Sequence, residues 1–326
     1  MPKMTMVEAL NLALRQEMEK DDRVMVLGED VAVDGGVFRV TEGLLDRFGE
    51  QRVIDTPLAE SAIVGVSIGM AVYGLRPVCE VQFSGFSYFA MHQIESHAAR
   101  MRWRSRGAYH VPLVLRTPYG AGIHALEHHS ESREAYYAHT PGLKMVIPSG
   151  PRNARALLLS AMRDPDPVIF FEAKALYRAF REEVPEAEET LPLGKAQVVQ
   201  EGDDITLVTY GAMLQPVLQA ARTLQEEDGV RAEVIDLLTL SPLDDETFAG
   251  SARKTGRVVV VHEAPRSFGA AAEITARLVE KSFWYLEAPV KRVTGFDVIV
   301  PMFAYEDAYL PDAGRIVRAA RESLNV

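Results

Sequence analysis

Three short stretches of the chain hold residue types that could do chemistry. In residues 55–61, reading DTPLAES, Glu60 stands just ahead of an apolar run from Ala62 to Tyr73. The spacing predicts Thr56 as an N-cap, Pro57 at the first helical position and Glu60 near the end of the first turn. The plain reading is a carboxylate that complements the helix dipole. It is imperfect, because Glu60 sits one position beyond where a capping-box glutamate would bond back to Thr56. Residues 116–132, RTPYGAGIHALEHHSES, bring His124, His128 and His129 beside Glu127 and Glu131. The Pro-Tyr-Gly-Ala-Gly preface makes this a loop at the carboxyl end of an expected strand, where open parallel sheets place their sites. Histidine exchanges protons near neutrality. A metal site is the alternative for His124 and His128, but their spacing is useful only on a helix, which the glycines oppose. Surface histidines without a role are the third reading. Residues 80–89, EVQFSGFSYF, are either strand core or an aromatic platform for a flat ring.

The elements that must position these residues alternate between short apolar runs and longer helical-period stretches, as in βαβ units with a parallel sheet. Strands are expected at 24–27, 52–54, 78–83, 113–116, 144–147 and 168–171, and then at 205–210, 232–237, 258–261 and 290–294. Helices are expected at 5–20, 61–73, 91–104, 151–162, 215–227, 270–281 and 313–323. Between the two series, residues 181–192 (REEVPEAEETLP) are acidic and proline-punctuated, which reads as a solvated linker near 181–195. Two α/β domains follow, residues 1–185 and 186–326.

Composition sets outer bounds. The 326 residues are 48% hydrophobic and 25% charged, ordinary for a globular protein with two cores. The single cysteine, Cys79, excludes a disulfide scaffold and suits a reducing cytoplasm. No signal-peptide order and no long apolar run is present, so neither secretion nor a membrane span is expected. A net charge of −11 argues against nucleic acid and permits a basic protein partner.

Taken together, the three stretches resemble the β subunit of the thiamine-diphosphate-dependent decarboxylating component of bacterial 2-oxo acid dehydrogenase complexes. Further phrases carry the resemblance along the whole chain: MTMVEALNLAL, VLGEDV, GGVFRVTEGL, GLRPVCEVQF, HTPGLKMVIPS, DPVIFFEAKALYR, GDDITLVTYG, KTGRVVVVHEAP, VTGFD and YLPD. The resemblance implies a pyrimidine-binding domain followed by a transketolase-type C-terminal α/β domain. It implies that Glu60 protonates the aminopyrimidine ring of the cofactor, whose imino nitrogen then removes the thiazolium proton. His129, ahead of Ser130, is implied to place the 2-oxo acid and assist acyl transfer to a lipoyl group. Phe86 matches the aromatic beside the aminopyrimidine, with Gln82 alongside, and Glu29 matches a glutamate linking cofactor sites through the subunit interface. Ala161, Met162, Asp164 and Asp166 match positions that hold a structural potassium ion in some relatives. Two departures stand out: Glu131 where relatives usually carry glutamine, and His92 where they often carry aspartate.

One half of a cofactor site is missing. The resemblance implies that the diphosphate and magnesium are gripped through a Gly-Asp-Gly motif followed by paired asparagines. This chain has only Asn11, Asn153 and Asn325 and no Gly-Asp-Gly. Magnesium and diphosphate are therefore expected on an α subunit, in an α2β2 heterotetramer that serves a lipoyl transacylase core. The isolated chain is expected to be a homodimer. For the substrate, branched-chain acids of the 2-oxoisovalerate type are read first and pyruvate second, with an acetoin-type relative beside it. A non-catalytic scaffold is the reading from another class, and retention of Glu60, His129 and Phe86 speaks against it.

Overall fold

The computed structural model describes residues 1–325, which fall into two compact units. The first comprises residues 1–119 and 136–193, the second residues 120–135 and 194 onward. In the first unit the strands are β1 (Val24–Gly28), β2 (Val53–Asp55), β3 (Arg76–Glu80), β4 (Val114–Tyr119), β5 (Lys144–Val146) and β6 (Val168–Ala173). They pair in parallel in the order β5-β6-β4-β3-β1-β2. Apolar runs such as residues 168–171 are buried throughout, as parallel strands covered on both faces require. Gly28, Asp55, Glu80 and Arg116 stand in register, so the carboxyl ends of β1, β2 and β3 form one rim. At Gly28 a Cβ would come within 2.9 Å of the Glu80 carbonyl oxygen, so only glycine lets β1 and β3 meet there.

Helices α1 (Met6–Lys20), α2 (Glu60–Val72) and α3 (Pro151–Arg163) connect this sheet. A reciprocal capping box starts α1: the Thr5 N–H donates to Glu8 and the Glu8 N–H donates to Thr5 Oγ1. α1 packs on α3, and Arg163 reaches across to Glu17 through two side-chain bonds. Three expectations change here. α2 begins at Glu60 with Ala59 as its N-cap, not at Thr56. The Thr56 N–H instead donates to the Gly28 carbonyl at 2.9 Å, which keeps Thr56 extended, and its hydroxyl caps nothing. The strand expected over 78–83 ends at Glu80, and residues 84–90 form a 3-10 turn. The helix expected over 91–104 is broken by a π-helical turn at Ile94–Ala98.

The acidic stretch after residue 181 is not a free linker. Glu182–Glu183 pairs antiparallel with Lys3–Met4. Val184 is fully buried with Ala9 and Leu12, and Glu188 and Glu189 pair with Arg163 and Arg152. Arg155 donates to the carbonyls of Glu186 and Ala187, and Ser160 to that of Leu191. One apolar anchor and four polar groups of α3 thus bind residues 182–191 to the first unit.

The second unit carries β7 (Gln197–Gln200), β8 (Ile205–Thr209), β9 (Ala232–Asp236), β10 (Val258–Pro265) and β11 (Lys291–Gly295). Their order is β11-β10-β8-β9-β7, parallel except for the antiparallel edge strand β7. Helices α4 (Leu214–Asp228) and α7 (Ala313–Leu324) pack together, as do α5 (Asp245–Thr255) and α6 (Ala270–Ser282). The sequence pattern did not point to α5 or β7. Among the described residues no helix is long and apolar enough to cross a membrane.

Candidate active site

The rim of the first sheet gathers most of the expected residues. Glu29 follows β1, Glu60 opens α2, and Gln82 and Phe86 follow β3. Glu60 is 8% exposed and forms no hydrogen bond or ion pair among the described residues. Glu29 is half-buried beside it. Burial, then the neighbouring charges of Asp30 and Glu60, push the Glu29 carboxyl above its ordinary range. Gln82 Nε2 donates to Asp30 Oδ2 at 3.1 Å and to the Glu29 carbonyl at 3.4 Å. The loop after Glu29 is folded over by Asp55, whose carboxylate accepts the Ala32 and Val33 N–H groups at 2.6 and 3.2 Å. Phe86 stands edge-on to Phe83 at 5.8 Å, and Phe83 edge-on to Phe38 at 5.6 Å. The half-buried Phe86 therefore belongs to an aromatic wall rather than to strand core, with two carboxyl groups on the same rim.

Beneath this wall lies a charged group that the motifs did not single out. Arg116 is 1% exposed and forks onto Glu172 at 2.7 and 2.8 Å, while its third nitrogen reaches Glu80 at 2.8 Å. The Tyr177 hydroxyl donates to Glu172 at 2.7 Å, and the Tyr177 ring lies 5.0 Å from that of Phe38. Burial pushes the Glu80 carboxyl up against the pull of Arg116. The signal was present in the sequence: VCEV, VLRT and FFEA each place one charged residue inside an apolar strand. Such residues are almost never fully buried unless they are paired.

The histidine loop belongs to the second unit. His129 is half-buried, its ring 4.3 Å from that of His128, and His128 Nδ1 is 3.5 Å from Glu127. Ser130 is buried and donates to the Leu126 carbonyl at 3.0 Å. Glu131, the departure from the usual glutamine, accepts Arg133 Nε and Nη2 at 2.9 and 2.6 Å, so its extra charge is met locally. His124 and His128 share no helix, and among the described residues no cluster of three or more histidine, cysteine or acidic side chains could hold a metal. Sequence reasoning also missed Glu306, which accepts the N–H groups of Gly122 and His124.

The donor set expected for potassium does not fit a cation. Lys144 Nζ lies 2.6 Å from both oxygens of Asp164, and Arg102 donates to Asp166 at 2.8 Å. The Met162 carbonyl accepts Arg76 at 2.8 Å, and that of Ala161 accepts the Asp164 N–H. An ion there would have to displace three resident cationic side chains.

The pyrimidine half does fit: a sheltered carboxyl free of competing partners, a second carboxyl with raised proton affinity, and an aromatic wall. Residues 2–179 match the family described as transketolase, pyrimidine binding domain, and residues 194–316 match transketolase, C-terminal domain. The two matched domains thus define a thiamine-diphosphate enzyme of the transketolase type. Over 318 residues the chain is 50% identical to the pyruvate dehydrogenase E1 component subunit beta of Acholeplasma laidlawii, covering 98% of this chain and 97% of that one. Its counterparts in Staphylococcus epidermidis and Staphylococcus aureus are also 50% identical, over 99% of both chains. A solved split-gene transketolase, described as an inactive β4 tetramer, superposes with a TM-score of 0.80 at 23% identity over 99% of both chains, which shows the fold. The chain belongs to the β subunits of the thiamine-diphosphate-dependent E1 components of 2-oxo acid dehydrogenase complexes, oxidoreductase components that work with an α subunit. These relatives are named for pyruvate, so the branched-chain reading gives way to the one placed second.

Proposed function

We propose that the chain supplies the pyrimidine half of a pyruvate-decarboxylating site and takes part in reductive acylation of a lipoyl group. The observation that carries this reading is Glu60: a carboxyl 8% exposed, without a cation or hydrogen-bond donor of its own. A sheltered carboxyl with both oxygens uncommitted is free to face a weakly basic ring nitrogen at hydrogen-bond distance. Thiamine diphosphate, when bound, supplies the nucleophilic carbon and the electron sink for loss of carbon dioxide. Glu60 holds a proton toward the aminopyrimidine ring. Phe86, in the aromatic wall, would flank that ring, and Gln82 fixes the loop carrying Glu29 and Asp30. At Glu29, burial first and then the charges of Asp30 and Glu60 lift the carboxyl, which keeps a second acid on the same rim. On the substrate side His129 orients the 2-oxo acid and assists acyl transfer.

The α subunit brings the diphosphate and magnesium grip, because the asparagine pair and Gly-Asp-Gly motif are lacking here. An α2β2 assembly in the cytoplasm, docked on a lipoyl transacylase core, completes the reading. The test compares pyruvate with 2-oxoisovalerate as substrates of the assembled α/β protein. We expect kcat/KM to favour pyruvate by about tenfold or more, the scale on which a pocket sorts acids by methyl groups. Equal or reversed preference would return the site to branched-chain acids.

A further inference from the structure

We infer that Glu306 is the positioning residue of the histidine loop, an inference resting on His129 as the substrate-side group. Glu306 is completely buried and opens the short helix Glu306–Tyr309. Its Oε1 accepts two backbone N–H groups, from Gly122 at 2.6 Å and His124 at 3.0 Å. The same segment gives the Phe303 carbonyl, 3.0 Å from His124 Nδ1, and Val300 and Tyr309, which pack on Ala121. Residues 121–124 are thus fixed to residues 300–309 by a carboxylate, an imidazole and an apolar contact.

The loop needs such a restraint. Gly120, Gly122 and His124 all lie in the left-handed region, at φ 83°, 92° and 53°. For glycine that is inexpensive, but a histidine stays there only when its surroundings hold it. The constraint passes along the loop. The Gly120 N–H donates to the Glu131 carbonyl at 3.1 Å and the His129 N–H to that of Leu126 at 3.0 Å, so a shift at 122–124 is carried to residues 127–131. The second oxygen of Glu306 is buried and finds no hydrogen-bond partner among the described residues. A carboxylate is a costly choice for filling that space. As a pre-organised double acceptor it has a reason to be there.

Three variants of the assembled α/β holoenzyme test this. Glu306→Gln keeps an acceptor oxygen at the same reach, Glu306→Asp keeps the charge but withdraws it by one methylene, and Glu306→Ala removes both. We expect amide exchange at Gly122 and His124 to quicken about tenfold or more in the Asp and Ala variants, and less in Gln. In the Asp and Ala variants kcat for lipoyl acylation should fall about 10–100-fold with KM for the 2-oxo acid within about threefold, since a small misplacement of a reacting group is costly. Gln should stay within about threefold of the parent. If Asp behaves like the parent, charge and not placement is at work and the proposal fails. It fails equally if exchange quickens while kcat holds. Should the Ala variant not assemble, the Asp and Gln pair carries the same comparison. A parallel His129→Ala variant separates the two ideas. Full activity there removes His129 from the site, whereas unchanged exchange in Glu306→Asp removes Glu306 from the loop.

Discussion

At Glu60 a carboxyl is buried without a partner, while at Arg116 two carboxylates grip one guanidinium through three hydrogen bonds, and the two sites answer substitution in opposite ways. Glu60→Gln should lower decarboxylation by the assembled protein by about 10²-fold or more, measured with an artificial electron acceptor. Its melting temperature should hold or rise, because the repulsion that lifts the Glu29 carboxyl is removed. Retained activity would take Glu60 out of the mechanism. Arg116→Met leaves Glu80 and Glu172 buried without their cation, and we expect a loss of about 3–5 kcal/mol in urea unfolding. Cys79 provides a third case. Burial pushes its thiol up to about 12, so no thiolate exists near neutrality. A thiol reagent should label it only on the global unfolding rate, and fast labelling of the native chain would show an opening that this packing does not contain.

On β10, His262 is fully buried and lies nearly parallel to the ring of Tyr210, 6.1 Å away at 17°. Burial, helped by Arg292, pulls the imidazole from its usual 6.5 down to about 4. The unfolded chain therefore takes up a proton that the folded chain refuses. The stability this histidine contributes is whole above about pH 6.5 and drains away as pH falls toward 4, an effect of roughly 3 kcal/mol. Urea titrations between pH 7 and 4.5 should show that slope, and His262→Phe should flatten it. Nothing in VVVVHEAP announces a neutral histidine, since burial of a polar residue is a tertiary fact. What the sequence did show at this scale follows the same division. Apolar runs such as residues 205–209 and 258–261 are legible because parallel strands are buried on both faces. Glu60, Gln82, Phe86 and His129 were singled out through resemblance to a family, while spacing alone put the start of α2 at Thr56. The sheet ladder to Gly28 overrode that local capping signal. The lone charge in VLRT announces that Arg116 needs a partner but not which one, 56 positions on, and Asp55 and Glu306 act through partners 23 and 184 positions away that no local pattern encodes. α5 was missed for another reason: its first turn, Asp245 and Glu246, and its last, Arg253 and Lys254, are charged, which hides a short apolar face.

For the molecule as a whole, the proposed function divides the cofactor site, because the chain has neither a Gly-Asp-Gly motif nor paired asparagines. Purified alone it should bind thiamine diphosphate weakly or not at all by titration calorimetry, and adding the α subunit should restore magnesium-dependent binding. Tight binding to the isolated chain would defeat the division of the site. The second unit, moreover, is assembled from two stretches of sequence, residues 120–135 and those after 193. This has a hereditary consequence. A crossover between two related genes near codon 193 looks harmless, because it falls between the matched domains. Yet it would hand one parent's Glu306 to a histidine loop shaped alongside the other's. Working hybrids should therefore be those in which residues 120–135 and 300–309 descend from the same parent, whatever the origin of the sequence between them.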